Sequence, residues 1–235
     1  MPVIGNISAD LDVHALGKLA AVNGSRSINT RLNALLPGIL NEIERDRLIA
    51  PSLCYEIVAL EKAGTGTITL DSGDSLKAPL LAHRMARASH LLFGVTTIGS
   101  VMAKTIRQCF INGKNVKAIL LEELANAVLF ETTNSLLCLA EKQASAMGLT
   151  ASGPLSPGDQ EGFGLDQQAT VLALAGAEKI GVTLTGMGQM NPAHSLSVVI
   201  GLGKCMRKWT KIDDCKTCRS REKCRHYLTT LEVVA

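Results

Sequence analysis

Aromatic residues are nearly absent from this chain. One Trp, two Tyr and four Phe make up 3 % of its 235 residues. Binders of single-stranded nucleic acid stack bases on aromatic rings, so this scarcity speaks against that class. No stretch has the length and apolarity of a membrane span. The opening, MPVIGNISADLDVHALG, lacks the basic segment followed by an apolar run that marks a secretory signal. No Walker A motif occurs. Gly64-x-Gly66 and Gly186-x-Gly188 lack the strand–turn–helix setting and the later glycine of a dinucleotide fingerprint, and read as ordinary turns. There is no internal repeat, no low-complexity segment and no regular βαβ alternation. The seven cysteines are odd in number and unevenly placed, which fits reduced thiols better than a disulfide framework. A cytoplasmic protein is expected.

What is present is a core-forming composition. Apolar residues make up 46 % of the chain, and with few rings available the core must be built from Leu, Val, Ile and Ala. The net charge of +3 is unevenly spread. Between Lys204 and Arg225 lie nine Lys/Arg and three Asp/Glu, a local balance of +6, so the rest of the chain carries −3. Positive charge is therefore concentrated around the C-terminal cysteines.

Periodicity gives the elements. Ile28, Leu32, Leu35, Leu36, Ile39, Leu40 and Ile43 recur at helical spacing across Pro37. Residues 52–60 and 67–70 read as strands, with a turn at 71–74. Residues 78–88 read as a basic helix carrying His83, Arg84 and Arg87. A buried strand is expected at 90–97, then a helix capped by Ser100 and running to about Phe110. The longest helix spans roughly 116–147 and ends at Gly148. Its polar residues Glu122, Asn126, Glu131 and Asn134 read as a solvated face. Residues 150–164 read as a loop, 165–175 as a helix, 180–185 and 195–202 as strands, and 186–193 as a connection. The mixture predicts an α+β fold with an antiparallel or mixed sheet, packed helices including one long central helix, and a Cys-rich tail. The expected organisation is a helical N-terminal arm over 1–50, an α+β domain over 51–203 and a cysteine tail over 204–235.

The tail carries the strongest chemical signal. Cys205-x9-Cys215-x2-Cys218-x5-Cys224 stands in polar, basic sequence and is followed by His226 and Tyr227. Cys54, Cys109 and Cys138 instead sit among apolar residues, as packing thiols do. Four clustered thiols suit an iron–sulfur cluster, of the 4Fe–4S type, or a structural zinc ion. The long gaps favour the cluster, and the surrounding cations would offset an anionic centre. A basic docking face for an acidic partner is the competing use of the same charge. Outside the tail, His194 stands at a loop edge, where it is either a functional side chain or a hydrogen-bonded loop histidine. Ser156, in Leu155-Ser156-Pro157-Gly158, lies in a turn rather than a nucleophile elbow.

Taken in order, several stretches resemble the activation (reactivation) domain of cobalamin-dependent methionine synthase and its stand-alone relatives. They are Val95-Thr96-Thr97-Ile98-Gly99, the long helix through Glu131, Leu155-Ser156-Pro157-Gly158, Ile180-Gly181-Val182-Thr183-Leu184-Thr185, the segment from Met190-Asn191-Pro192-Ala193-His194 to Ser197, and the cysteine tail. The resemblance runs from about residue 50 to the end. It implies an α+β domain that docks on a corrinoid protein or corrinoid methyltransferase. In the parent enzyme such a domain binds S-adenosylmethionine and supports reductive methylation of cob(II)alamin. It further implies a ligand loop formed by Ser156, Pro157, Gly158, Asn191 and His194, and a place in a cobalamin-dependent methyltransferase system. The family's ligand loop has an arginine, three residues, then Gly-Tyr. Here Gly158 keeps the glycine, but Pro154 stands for the arginine and Asp159 for the tyrosine. That departure removes a guanidinium clamp on the ligand's carboxylate. The tail cysteines would relay an electron from a donor protein. A scaffold with a structural zinc tail, or a methyltransferase component with a rebuilt ligand loop, are the alternatives. The long apolar helix is suited to internal packing or to a homo-oligomeric face.

Overall fold

The computed structural model describes residues 3–6, 26–158, 162–209 and 213. Its strands are β1 (Val3–Asn6), β2 (Ser52–Ala63), β3 (Thr67–Leu70), β4 (Ser75–Lys77), β5 (His90–Thr97), β6 (Thr150–Leu155), β7 (Thr183–Leu184), β8 (Met190–Asn191) and β9 (Ser195–Gly203). Its helices are α1 (Arg26–Arg45), α2 (Pro79–Arg84), α3 (Val101–Ile111), α4 (Asn115–Ala146) and α5 (Gln168–Ala175), with 3-10 turns at Leu165–Gln167 and Ala177–Ile180.

The main sheet runs β4-β3-β2-β5-β9-β6, with β1 also paired to β2. Bonds at both ends of β5 set its direction. Ala50 N–H donates to Ile98 O and Leu60 N–H to Ser89 O on the β2 side, while Ser89 N–H donates to Leu202 O and Ile98 N–H to His194 O on the β9 side. Both pairings are therefore antiparallel, as are β2 with β3, β3 with β4 and β6 with β9. The expected α+β class with one long helix is what the chain forms. The cysteine tail beyond Asp213 lies outside the described residues.

The contacts divide the chain into two compact units. The first comprises Met1–Glu56, Gly94–Leu136 and Leu172–Ser197; the second comprises Ile57–Phe93, Leu137–Val171 and Val198–Ala235. In the first, α1 buries Leu36, Ile39, Leu40 and Ile43, one stripe at i, i+3, i+4 and i+7. That stripe joins Ile98, Met102 and Ile106 and the α4 residues Leu121, Leu124, Ala125 and Val128 in one aliphatic cluster. The helix continues through Pro37 without a break. Lys117 of α4 pairs with Glu42 of α1 at 2.5 Å beside this cluster. Strand β5 packs directly on α4 here: a Cβ added at Gly94 would lie 2.6 Å from Leu136 Cδ2. Beside that contact Thr96 and Thr133 share a buried hydroxyl bond of 2.9 Å. Thr133 gives its proton to Leu129 O, so Thr96 is the donor between the two.

In the second unit, Ile68, Leu70, Leu76, Leu81, Met85, Leu91, Leu92 and Phe93 are fully buried, and Phe163 joins them. This unit also holds the main departure from the sequence expectations. Residues 150–155 are not loop but strand β6, paired from Thr150↔Gly203 to Leu155↔Val199 with an irregularity between Ala151 and Pro154. Its Ser-Gly-Pro composition resembles a turn, but β6 ends the sheet path, and an edge position tolerates proline. The basic helix is shorter than expected, ending at Arg84, so that Arg87 lies in the turn after it. In the first unit, residues 180–185 do not form one strand. A 3-10 turn flanked by Gly176 and Gly181, both left-handed, precedes the two-residue β7, which pairs with β8. Ser100 precedes α3 but makes no side-chain cap bond. Among the described residues no helix is long and apolar enough to cross a membrane.

Candidate functional site

The sequence-predicted ligand residues fall in both units. Asn191 and His194 belong to the first. β8 ends at exposed Asn191, the Asn191–Pro192 bond is cis, and the chain turns into β9 through His194. A hydroxyl network anchors this corner. His194 O accepts from Ile98 N–H and from Thr97 Oγ1, each at 3.2 Å. Ser195 Oγ lies 2.8 Å from Pro192 O and 2.9 Å from Thr97 Oγ1, and Gly99 N–H donates to Thr97 Oγ1.

The imidazole of His194 is buried, 7 % exposed, and its Nε2 lies 3.2 Å from Glu122 Oε1. A carboxylate only accepts, which makes Nε2 the donor and assigns the Nε2–H tautomer when the ring is neutral. Nδ1 is buried without a hydrogen-bond partner among the described residues. Glu122, read from sequence as part of a solvated face, is half-buried and orients this ring; its carboxylate remains 45 % exposed. Nothing in the local sequence could reveal a partner seventy-two residues away.

Ser156, Pro157 and Gly158 belong to the second unit, directly after β6. Ser156 and Pro157 are buried. Gly158 has φ +86°, and its N–H donates to Phe163 O at 2.8 Å. That left-handed conformation favours glycine, while the nearest neighbour of an added Cβ, the exposed Leu165 side chain at 2.9 Å, could move aside. The loop is closed further by Leu80 N–H donating to Gly162 O at 3.0 Å. Asp159 lies outside the described residues. Pro154, standing where the resembled family has arginine, offers only its carbonyl. That carbonyl accepts the indole N–H of Trp209 at 3.1 Å. The ring covers Gly153 so closely that a Cβ there would meet its Cγ and Cδ2 at 2.5 Å. Sequence reasoning missed Trp209. As the one Trp in a chain poor in rings, it was the signal available.

Of the four tail cysteines, Cys205 is described, and its residue is exposed. Cys215, Cys218 and Cys224 lie outside the described residues. Among the described residues no three His, Cys, Asp or Glu side chains are arranged to hold a metal. The remaining thiols differ in setting. Cys54 and Cys109 are buried, whereas Cys138 is exposed on α4 despite its apolar sequence neighbours. Burial pushes the Cys54 thiol up to about 11, against a smaller lowering from its bond with the Val95 backbone.

No family model matches the chain, and no curated protein matches it. Thirteen chains of solved structures do. One is a crystal structure of the MetH reactivation domain bound to AdoHcy. It is 12 % identical, with a TM-score of 0.59, over 95 % of this chain and 85 % of that one. The likeness shows a related fold.

Proposed function

We propose that this chain is an accessory protein of corrinoid methyl-transfer chemistry. It docks on a corrinoid protein and helps return the cobalt to its reduced, methyl-accepting state. The observation that carries this reading is a fold shared with the MetH reactivation domain over 95 % of the chain. The ordered motifs from Val95 to Ser197 agree with it. In this reading Cys205, Cys215, Cys218 and Cys224 hold an iron–sulfur cluster, whose chemistry is one-electron transfer from a donor protein. The basic residues around them face that donor or the corrinoid partner.

S-adenosylmethionine does not fit the family's loop as this chain builds it. Pro154 brings no guanidinium, and its carbonyl is already engaged by Trp209. Buried Ser156, Pro157 and His194 then serve as structural remnants of that loop, and exposed Gly158 and Asn191 as partner-facing ones. The test is to purify the protein without oxygen, record its visible spectrum, and measure iron, sulfide and zinc. Mixing with a cobalamin-loaded corrinoid protein, followed by size-exclusion chromatography, tests docking. Brown protein that co-elutes with the corrinoid partner supports the reading. Colourless protein with stoichiometric zinc refutes the electron relay and favours a zinc scaffold. Failure to co-elute refutes the docking.

A further inference from the structure

A cavity of about 620 Å³ opens in the second unit, with Arg84, Arg87, Cys205, Arg207, Trp209 and Asp213 in its lining. Its volume lies in the range of small-molecule sites. One wall is held in place by bonds of its own. Trp209 is fixed by its indole bond to Pro154 O and by its seat over Gly153. The chain leading to it is tied down where Met206 N–H donates to Thr150 Oγ1 at 2.9 Å. The guanidinium of Arg84 stacks on the indole, 4.8 Å from the ring centroid. The recess therefore exists before any ligand arrives, and the ligand need not order its wall.

Its charge points to the ligand. Three guanidinium groups and one carboxylate leave the lining two net positive charges with His83 neutral. A monocarboxylate would balance one of them. A phosphate monoester, at about −1.5 to −2 near neutral pH, balances both. Planar guanidinium forks also match phosphate oxygens in pairs. Ala86, Met206 and the Trp209 ring supply an apolar part of the lining against which an organic group can rest. We infer that this cavity binds a small organic phosphate monoester. The site does not depend on the corrinoid reading and uses none of the ligand-loop residues.

Trp209 is the sole tryptophan of the chain, so its fluorescence reports on this cavity alone. The full-length protein is titrated with ribose 5-phosphate and adenosine 5′-phosphate, with ribose and adenosine as unphosphorylated counterparts, and with inorganic phosphate. A saturable fluorescence change with the esters, absent with their counterparts, is expected. Arg87→Gln and Arg207→Gln should each weaken it about tenfold or more, as loss of a charge-assisted contact does. Lys104→Gln, an exposed position of α3 in the other unit, should leave it unchanged. No saturable response to either ester overturns the inference. So does an equal response from the Arg variants and wild type.

Discussion

Trp209 Nε1–H donates to Pro154 O at 3.1 Å, tying the segment after β9 to the edge strand β6. Trp209→Phe keeps a ring over Gly153 but removes this donor and weakens the stack with Arg84. A net loss of ~1–2 kcal/mol is expected, the sum of one hydrogen bond and part of a cation–π contact. Urea unfolding followed by circular dichroism measures it. An unchanged midpoint would show that the tie is dispensable.

Gly94 admits Leu136 to the face of β5. Gly94→Ala should destabilise by ~1–3 kcal/mol, because Leu136 is fully buried and has little room to yield. Paired with Leu136→Ala, the two changes should cost less than their sum. Strict additivity in thermal unfolding would refute the contact.

Glu122 and His194 offer a sharper contrast. Glu122→Gln keeps an oxygen that accepts from His194 Nε2–H and should change stability by less than ~0.5 kcal/mol. Glu122→Ala strands a buried ring whose other nitrogen has no partner among the described residues, and should cost ~1–3 kcal/mol. If both variants unfold at the same denaturant concentration, the bond contributes nothing.

Cys54 gives a pH signature. Its ordinary value of 9.0 is raised to about 11 by burial, so the folded state favours the neutral thiol. The stability tied to that thiol is fully present below pH 9 and is lost as pH rises toward about 11. Two units correspond to roughly 2–3 kcal/mol. Cys54→Ala should flatten the decline of the urea midpoint over that interval, whatever its effect at neutral pH. A decline of equal slope in both proteins would assign it to other groups.

Much of the fold is legible in the sequence where burial writes a pattern. β5 and β9 are covered along nearly their whole length and show as apolar runs at 90–97 and 195–202. The long helix shows because its buried positions Ala118, Leu121, Ala125, Val128 and Thr132 recur every three or four residues. β6 stays hidden because its strand character comes from pairing with β9, some fifty residues away, and not from Thr150-Ala151-Ser152-Gly153-Pro154 themselves. The site follows the same rule. His194 is visible as a polar residue beside a loop proline, but Glu122 is one acid among several on α4. Trp209, in a basic and cysteine-rich context, gives no local hint that its partner is a proline carbonyl.

Each compact unit is assembled from three separated stretches of chain, and the boundaries fall inside β2, β5, α4, α5 and β9 rather than in the turns joining them. No single cleavage point yields either half intact. Trimming this protein to a minimal fragment would sever three strands and two helices in mid-course. Functional mapping is therefore better served by point changes, or by removing residues after Trp209, than by dissection into parts.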